Sequence, residues 1–456
     1  MIKLVSNNVV VAKRIGWFGL VSSFFSLMVL TAGAQTPSEV LPNRCATSQQ
    51  ERIRQQRNPN RLYQLNELNR RIQKFQAESG GLRKQADTTI YRIPVVVHVI
   101  HNTVSGTIGG TLNGNISDDQ INSQIQVLNE DYRRKPGTSG ANTSPIGADA
   151  RIEFFLATTD PTGQPASGIT RRYYAGKSSF DVLNNDDNSL LSQLAYWPSD
   201  QYLNIWVTTV TNNNLGFTPQ YPTITARDTL QGLPIDSDAL TDGVVVDYRV
   251  FGRQTTAGYY KNYELGRTTT HEIGHWLGLF HPDGPYSDPC GDDYVADTPP
   301  TDNLNQTTSC ADIYSNCSGK RTRELIENYM MYSPDLCMNM FTAGQVARMR
   351  TVLAVSPRRS RLILSAAGPL AETEKLTINL YPNPTTIDAL IDIQLKGSQA
   401  FNVDLFDVSG RQLRTSTYSS SPSVRVPLSV KGLSTGMYIV RVKTDTEVVS
   451  KRLLVQ

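Results

Sequence analysis

The chain has 456 residues, with 44 Lys and Arg against 41 Asp and Glu, a net charge of +3 and a charged fraction of 19%. That length exceeds one ordinary core and predicts two or three domains. So even a charge balance carries no footprint for nucleic acid or for a membrane surface, and neither is expected as a partner.

Residues 1–34 read as an export signal, in which Lys3, Lys13 and Arg14 precede an apolar stretch from Ile15 to Leu30 and Ala32-Gly33-Ala34 offers small residues for cleavage. Because Gly16, Gly19, Ser22, Ser23 and Ser26 interrupt the apolar stretch, a cleaved signal is expected in place of a spanning helix. No later segment is apolar for long enough to cross a membrane. Residues 35–88 are polar, and Leu62, Leu65, Leu68, Ile72 and Phe75 recur at spacings of three or four, which predicts one amphipathic helix in a small pro-segment.

Residues 89–365 alternate β-type runs (93–100, 152–158, 202–210 and 243–248) with helical patterns (117–133, 268–280 and 342–353), the signature of an α/β main domain. From residue 366 onward short alternating strands are separated by Pro, Gly and Ser turns, so 366–456 are expected to form an all-β sandwich.

The stretch that carries chemistry is His271-Glu272-Ile273-Gly274-His275-Trp276-Leu277-Gly278-Leu279-Phe280-His281. Histidines four apart share a helix face and can hold one zinc ion; Gly278 lets the helix end so that His281 returns as a third ligand. A fourth position stays open for water, and Glu272 stands beside the first ligand as a general base. The bland alternative is unrelated histidines on an amphipathic helix, but the chain has only five and three of them fall in this stretch. His98 and His101 lie in or after the apolar run 95–100 and read as structural. Of five cysteines, Cys290, Cys310, Cys317 and Cys337 cluster and allow three pairings, while Cys45 stands apart.

Residues 89–355 resemble the pappalysin family, metzincin zinc endopeptidases. The residues carrying the resemblance are Tyr91 to Val99, Ile116 to Ile121, the extended zinc stretch, Asp297-Thr298-Pro299, and Asn328-Tyr329-Met330-Met331-Tyr332 followed by Cys337 and Phe341-Thr342. The resemblance implies a mixed twisted sheet, an active-site helix and a C-terminal subdomain with a methionine turn at Met330, Met331 being the competing residue. It gives Tyr332 a role at the oxyanion or as a resting zinc ligand, against a plain buried aromatic. It further implies calcium at Asp293 and Thr298, against a solvated acidic loop, and disulfides Cys290–Cys317 and Cys310–Cys337. Related pro-segments carry an Arg-Cys pair, which makes Cys45 a candidate fourth zinc ligand that holds the enzyme latent; a buried thiol or an intermolecular disulfide are the alternatives. Some relatives prefer a basic residue after the scissile bond, and Asp335 is the nearest carboxylate that could read one.

The tail is similar to the C-terminal sorting domain recognised by the type IX secretion system, on Tyr381-Pro382-Asn383-Pro384, Val408-Ser409-Gly410, residues 432–438 and Lys451 to Val455 in that order. A carbohydrate- or protein-binding β-module is the alternative. The sequence therefore predicts a secreted or cell-surface zinc endopeptidase exported through the periplasm, with protein or peptide substrates and the secretion machinery as partners. A non-catalytic adhesin on the same scaffold is the rival reading.

Overall fold

The structure, a computed structural model, describes residues 42–58, 60–78, 89–211, 213–222, 239–253, 260–286, 288–302, 304, 306–363, 376–395, 399–421 and 424–456. The expected export signal lies outside them.

A seven-stranded sheet is built from β1 (Asn43–Cys45), β2 (Tyr91–His101), β3 (Ile152–Leu156), β4 (Ile169–Tyr173), β5 (Leu203–Thr208), β6 (Asn214–Phe217) and β7 (Gly243–Asp247). Its order is β1-β6-β7-β5-β2-β3, with β4 continuing the β3 edge along the second half of β2. Strand pairs are parallel except for β6, which runs antiparallel to β7. Side chains alternate across a strand, and here both faces are buried. Val95, Val97, Val99, Ile205 and Val246 enter one core, and Ile100, Trp206 and Val245 enter another.

The helices are α1 (Thr47–Arg57), α2 (Asn60–Glu78), α3 (Asp118–Tyr132), α4 (Asn185–Leu194), α5 (Arg267–Trp276), α6 (Ala343–Val355) and α7 (Pro357–Ile363). Ile121 and Leu128 of α3 and Ile273 and Trp276 of α5 join the first core, while Leu191 of α4 joins the second. Ser117 caps α3 by accepting from the Gln120 amide, and Thr342 with Gln345 forms a capping box on α6. A small hairpin, β8 (Tyr314–Ser315) with β9 (Thr322–Arg323), stands between α5 and α6.

The N-terminal segment differs from expectation, since it holds two helices where one is predicted. Helix α1, TSQQERIRQQR, has almost no apolar residue to mark a period and buries Thr47, Ser48, Gln50 and Glu51 through polar contacts. Helix α2 follows the predicted pattern at Leu68 and Ile72, packed on Val352 of α6, and at Leu65, against Tyr221 and Phe280, whereas Leu62 is exposed.

Beyond residue 375 lie two antiparallel sheets. One holds β10 (Thr377–Tyr381), β11 (Ala389–Gln394) and β14 (Val424–Leu428); the other holds β12 (Gln399–Asp407), β13 (Gln412–Ser421), β15 (Gly436–Lys443) and β16 (Val448–Val455). Ile391 and Ile393 from the first meet Val403, Val440 and Leu453 from the second in a separate core, as the alternating pattern predicts. Tyr381 leaves that core to meet Tyr91 edge-on at 6.0 Å. Among the described residues no helix is long and apolar enough to cross a membrane.

The C-terminal end of α5 is held by a buried ionic cluster. Asp242 accepts from Trp276 Nε1 at 2.8 Å, from Arg359 at 2.8 and 2.9 Å, and from Arg358. The Arg359 guanidinium also stacks 3.7 Å over the Trp276 ring and donates to the Trp276 carbonyl at 3.0 Å. Removing the acid takes the shared counter-charge from two buried cations, and breaking such a cluster costs about 3–5 kcal/mol. Asp242→Asn should lower the unfolding free energy by about that amount in a urea titration; a midpoint equal to the parent's would show that the cluster does not brace α5.

Candidate metal and catalytic site

Helix α5 starts after Gly266, at φ 80°, and carries His271, Glu272 and His275, all buried. The chain then turns at Gly278, whose φ is +88° and where an added Cβ would lie 2.8 Å from Val352 Cγ2, so only glycine suits both backbone and space. That turn, held by Arg348 donating to the Gly278 carbonyl at 2.7 Å, brings His281 back to the helix.

The three imidazoles meet edge to edge, with Nε2 atoms 3.0 to 3.1 Å apart. Their other nitrogens decide what those atoms are. His271 Nδ1 donates to the Tyr329 carbonyl at 2.7 Å and His275 Nδ1 to the Leu279 carbonyl at 2.8 Å, so each keeps its proton there and offers a bare Nε2. His281 Nδ1 lies 3.0 Å from Ser48 Oγ. Burial pushes all three below the usual imidazole range, His275 to about 4, so the rings are neutral. Unprotonated nitrogens crowded together in a buried pocket repel unless a cation sits between them, and neutral nitrogens oriented by carbonyl partners are a donor set that suits one.

The Cys45 sulfur completes the group, and all four candidate ligand atoms lie within 4.8 Å of one another. Burial and then the Glu272 charge push this thiol well up. A thiolate here would therefore need a cation beside it. Cys45 is placed by β1, which pairs in parallel with β6 and sets Cys45 opposite Gly216.

Glu272 is buried, which pushes its carboxyl up to about 7. Its Oε2 accepts from Thr218 Oγ1 at 2.9 Å and from Thr47 Oγ1 at 3.1 Å. The Tyr332 hydroxyl donates to the Cys45 carbonyl at 2.8 Å, and its ring stands 5.2 Å from that of His281. Met330 packs beneath the helix, where a Cβ on Gly274 would lie 2.5 Å from its sulfur. Met331 is buried as well, but it is Met330 that faces Gly274.

Arg44 is fully buried beside Cys45; it donates to Asp335 Oδ1 and to the Ser333 carbonyl, each at 2.7 Å. Asp335 Oδ2 accepts from the Leu265 and Arg267 amides at 2.9 and 3.2 Å, fixing it at the start of α5. Cys290 bonds to Cys317 and Cys310 to Cys337, bracing the segment between α5 and the Met330 turn. Thr298 Oγ1 lies 2.7 and 2.9 Å from the Asp293 oxygens and 2.7 Å from the Val295 carbonyl, and burial pushes Asp293 up to about 7. His98 is engaged elsewhere, with its nitrogens 2.7 and 2.8 Å from Thr170 and Asn204. The Thr47, Ser48, Thr218 and Arg44 contacts were not readable beforehand; only the Arg-Cys pair gave a signal.

The sequence pattern described as pregnancy-associated plasma protein-A matches residues 184–354, and that of a secretion system C-terminal sorting domain matches residues 379–456. Extracellular metalloprotease 1 of Coccidioides posadasii is 31% identical over 239 residues, 52% of this chain and 69% of that protein. A promirolysin mutant from Tannerella forsythia superposes with TM-score 0.54 at 33% identity, covering 71% of this chain and 99% of that one. The chain belongs to the pappalysin family. Mature mirolysin from Tannerella forsythia, in complex with a cleaved peptide, gives TM-score 0.52 at 36% identity over 62% of this chain and all of that one. This pappalysin is thus a secreted or cell-surface metalloendopeptidase with a type IX sorting tail, and the adhesin alternative finds no support in these relatives.

Proposed function

We propose that the metal is zinc, held by His271, His275 and His281, and that residues 35–88 form a pro-segment whose Cys45 supplies the fourth ligand in the latent form. The observation that carries this reading is the convergence of two bare Nε2 atoms, the His281 Nε2 and a sulfur on one point in a buried pocket. Zinc bound there supplies Lewis acidity, which polarises a carbonyl and lowers the pKa of water.

Once the pro-segment has left, Glu272 takes the proton from the attacking water as its oxygen bonds to the scissile carbon. It then delivers that proton to the departing amine as the C–N bond breaks. Tyr332 donates to the carbonyl oxygen as negative charge develops there; its present bond to the Cys45 carbonyl supports that direction. Met330 supports the ligand helix from below. Residues 89–365 make up the catalytic domain, 366–456 the sorting domain and 1–34 the export signal. Asp293 and Thr298, a carboxylate and a hydroxyl in mutual contact on a tight loop, are the proposed calcium ligands.

Glu272→Ala should bind one zinc per chain and unfold at the parent temperature while its peptidase rate falls at least about 100-fold, the lower range for losing a positioned base. Cleavage of casein at a comparable rate by that variant would remove Glu272 from the mechanism.

Arg44 also points to a substrate. Its guanidinium fills a buried slot closed by Asp335, next to the residue whose sulfur faces the metal position. The same slot should receive an Arg or Lys of the substrate beside the scissile bond. Asp335→Asn should reduce cleavage at basic residues at least about tenfold relative to other sites in a peptide library, since a pocket built around a charge pair discriminates strongly; an unchanged cleavage profile would contradict the assignment.

A further inference from the structure

Outside the zinc stretch, two residues of the β6 segment shape the surroundings of Glu272. Gly216 and Thr218 are two apart, so on an extended segment they face the same way, while Phe217 between them points into the core with Trp206. Thr218 Oγ1 lies 2.9 Å from Glu272 Oε2 and 2.7 Å from the Glu272 main-chain oxygen, so its single proton is shared between the two and ties the carboxylate to its own backbone. At Gly216 a Cβ would stand 2.9 Å from both Glu272 Cγ and Thr268 Cγ2 and 3.0 Å from Glu272 Oε1, inside the space the Glu272 side chain occupies. The glycine leaves a slot and the threonine anchors one end of the carboxylate in it.

Oε1 accepts no bond from a nitrogen or hydroxyl of the described residues, although it is buried. The second hydroxyl on Oε2 belongs to Thr47, which departs with the pro-segment, and Thr218 then remains as the hydroxyl on that oxygen among the described residues. We infer that Gly216 and Thr218 are positioning residues for the general base: Thr218 fixes Oε2, Gly216 admits the side chain, and Oε1 is thereby the atom that receives and returns the proton. A carboxylate otherwise has two equivalent oxygens and a rotatable end. Catalysis requires one of them held at a fixed distance from the reacting water, and a misplacement of about 1 Å can cost about 100-fold in rate.

This inference rests on Glu272 being the base, so the test includes that variant as a separate arm. The full chain, as parent, Thr218→Val, Thr218→Ser, Gly216→Ala and Glu272→Ala, is activated with trypsin and quenched. Zinc content, thermal unfolding, kcat and KM are then measured on each. Thr218→Val should retain parental zinc and lose about 10- to 100-fold in kcat with KM changed less than about twofold, because the lost interaction acts on the reacting geometry and not on substrate binding. Thr218→Ser, which keeps the hydroxyl, should recover kcat to within about threefold of the parent. Gly216→Ala should follow Thr218→Val, since its methyl meets Glu272 at Cγ and Oε1 as well as Thr268 Cγ2 and must displace the carboxylate; it carries the same test if valine at 218 prevents folding. A purely structural Thr218 would lower the unfolding temperature and leave kcat in place. Parental kcat in both Thr218→Val and Gly216→Ala, or a serine variant as slow as the valine one, would overturn the inference while an inactive Glu272→Ala left the general base standing. An active Glu272→Ala would overturn both.

Discussion

Two hydrogen bonds to backbone carbonyls set the chemistry of this site. The Tyr329 and Leu279 carbonyls can only accept, so the imidazoles that face them must carry their protons on Nδ1 and expose unprotonated Nε2 atoms to one another. His281, returned by the Gly278 turn, adds a third nitrogen to the same point. With the rings neutral by burial, the pocket is a repulsive arrangement that a cation converts into a favourable one. Much of the surrounding structure serves to hold it. Asp242 and Arg359 fix the end of α5, Arg348 fixes the turn, and the Met330 side chain fills the space below the helix that Gly274 leaves open.

The N-terminal segment engages this arrangement group by group. Arg44 takes Asp335, the Cys45 sulfur meets the three nitrogens, its carbonyl takes the Tyr332 hydroxyl, Thr47 bonds to Glu272, and Ser48 reaches His281 Nδ1. Short strand β1 gives the segment its register by adding to the edge of β6. A polar helix can bury one face here because that face has polar partners: Thr47 and Ser48 meet Glu272 and His281, Gln50 meets Asn185 of α4, and Glu51 pairs with Arg61 of α2, which explains how α1 can lack an apolar face. Latency on this account comes from occupying every working group at once, and release of the segment frees them together.

The long elements were legible because Ile121 to Leu128 and Leu65 to Ile72 each have a buried apolar face that repeats at the period of a helix, while Val95 to Ile100 is a nearly continuous apolar run of strand length, buried on both faces. The convergence of His271, His275 and His281 was legible for a related reason, since histidines four apart share a helix face and the turn that returns the third requires glycine. The short strands β1, β4 and β6 and the helix α1 were not, since their stability comes from pairing and polar contacts with parts of the chain distant in sequence. Thr218 and Thr47 belong to the same class: 54 and 225 residues separate them from Glu272, and no local pattern signals a hydroxyl aimed at a carboxylate. The disulfide partners lay within an open choice of three pairings on the residues alone, and folding brings together Cys290 with Cys317 and Cys310 with Cys337.

The central claim is that one metal is held by three imidazoles, with the Cys45 sulfur as the fourth ligand while the N-terminal segment is in place. X-ray absorption at the zinc edge of the full chain tests it directly. The account predicts three nitrogen scatterers at about 2.0–2.1 Å and one sulfur at about 2.3 Å, with the sulfur absent from Cys45→Ala. A full chain whose zinc shows only nitrogen and oxygen neighbours would contradict it.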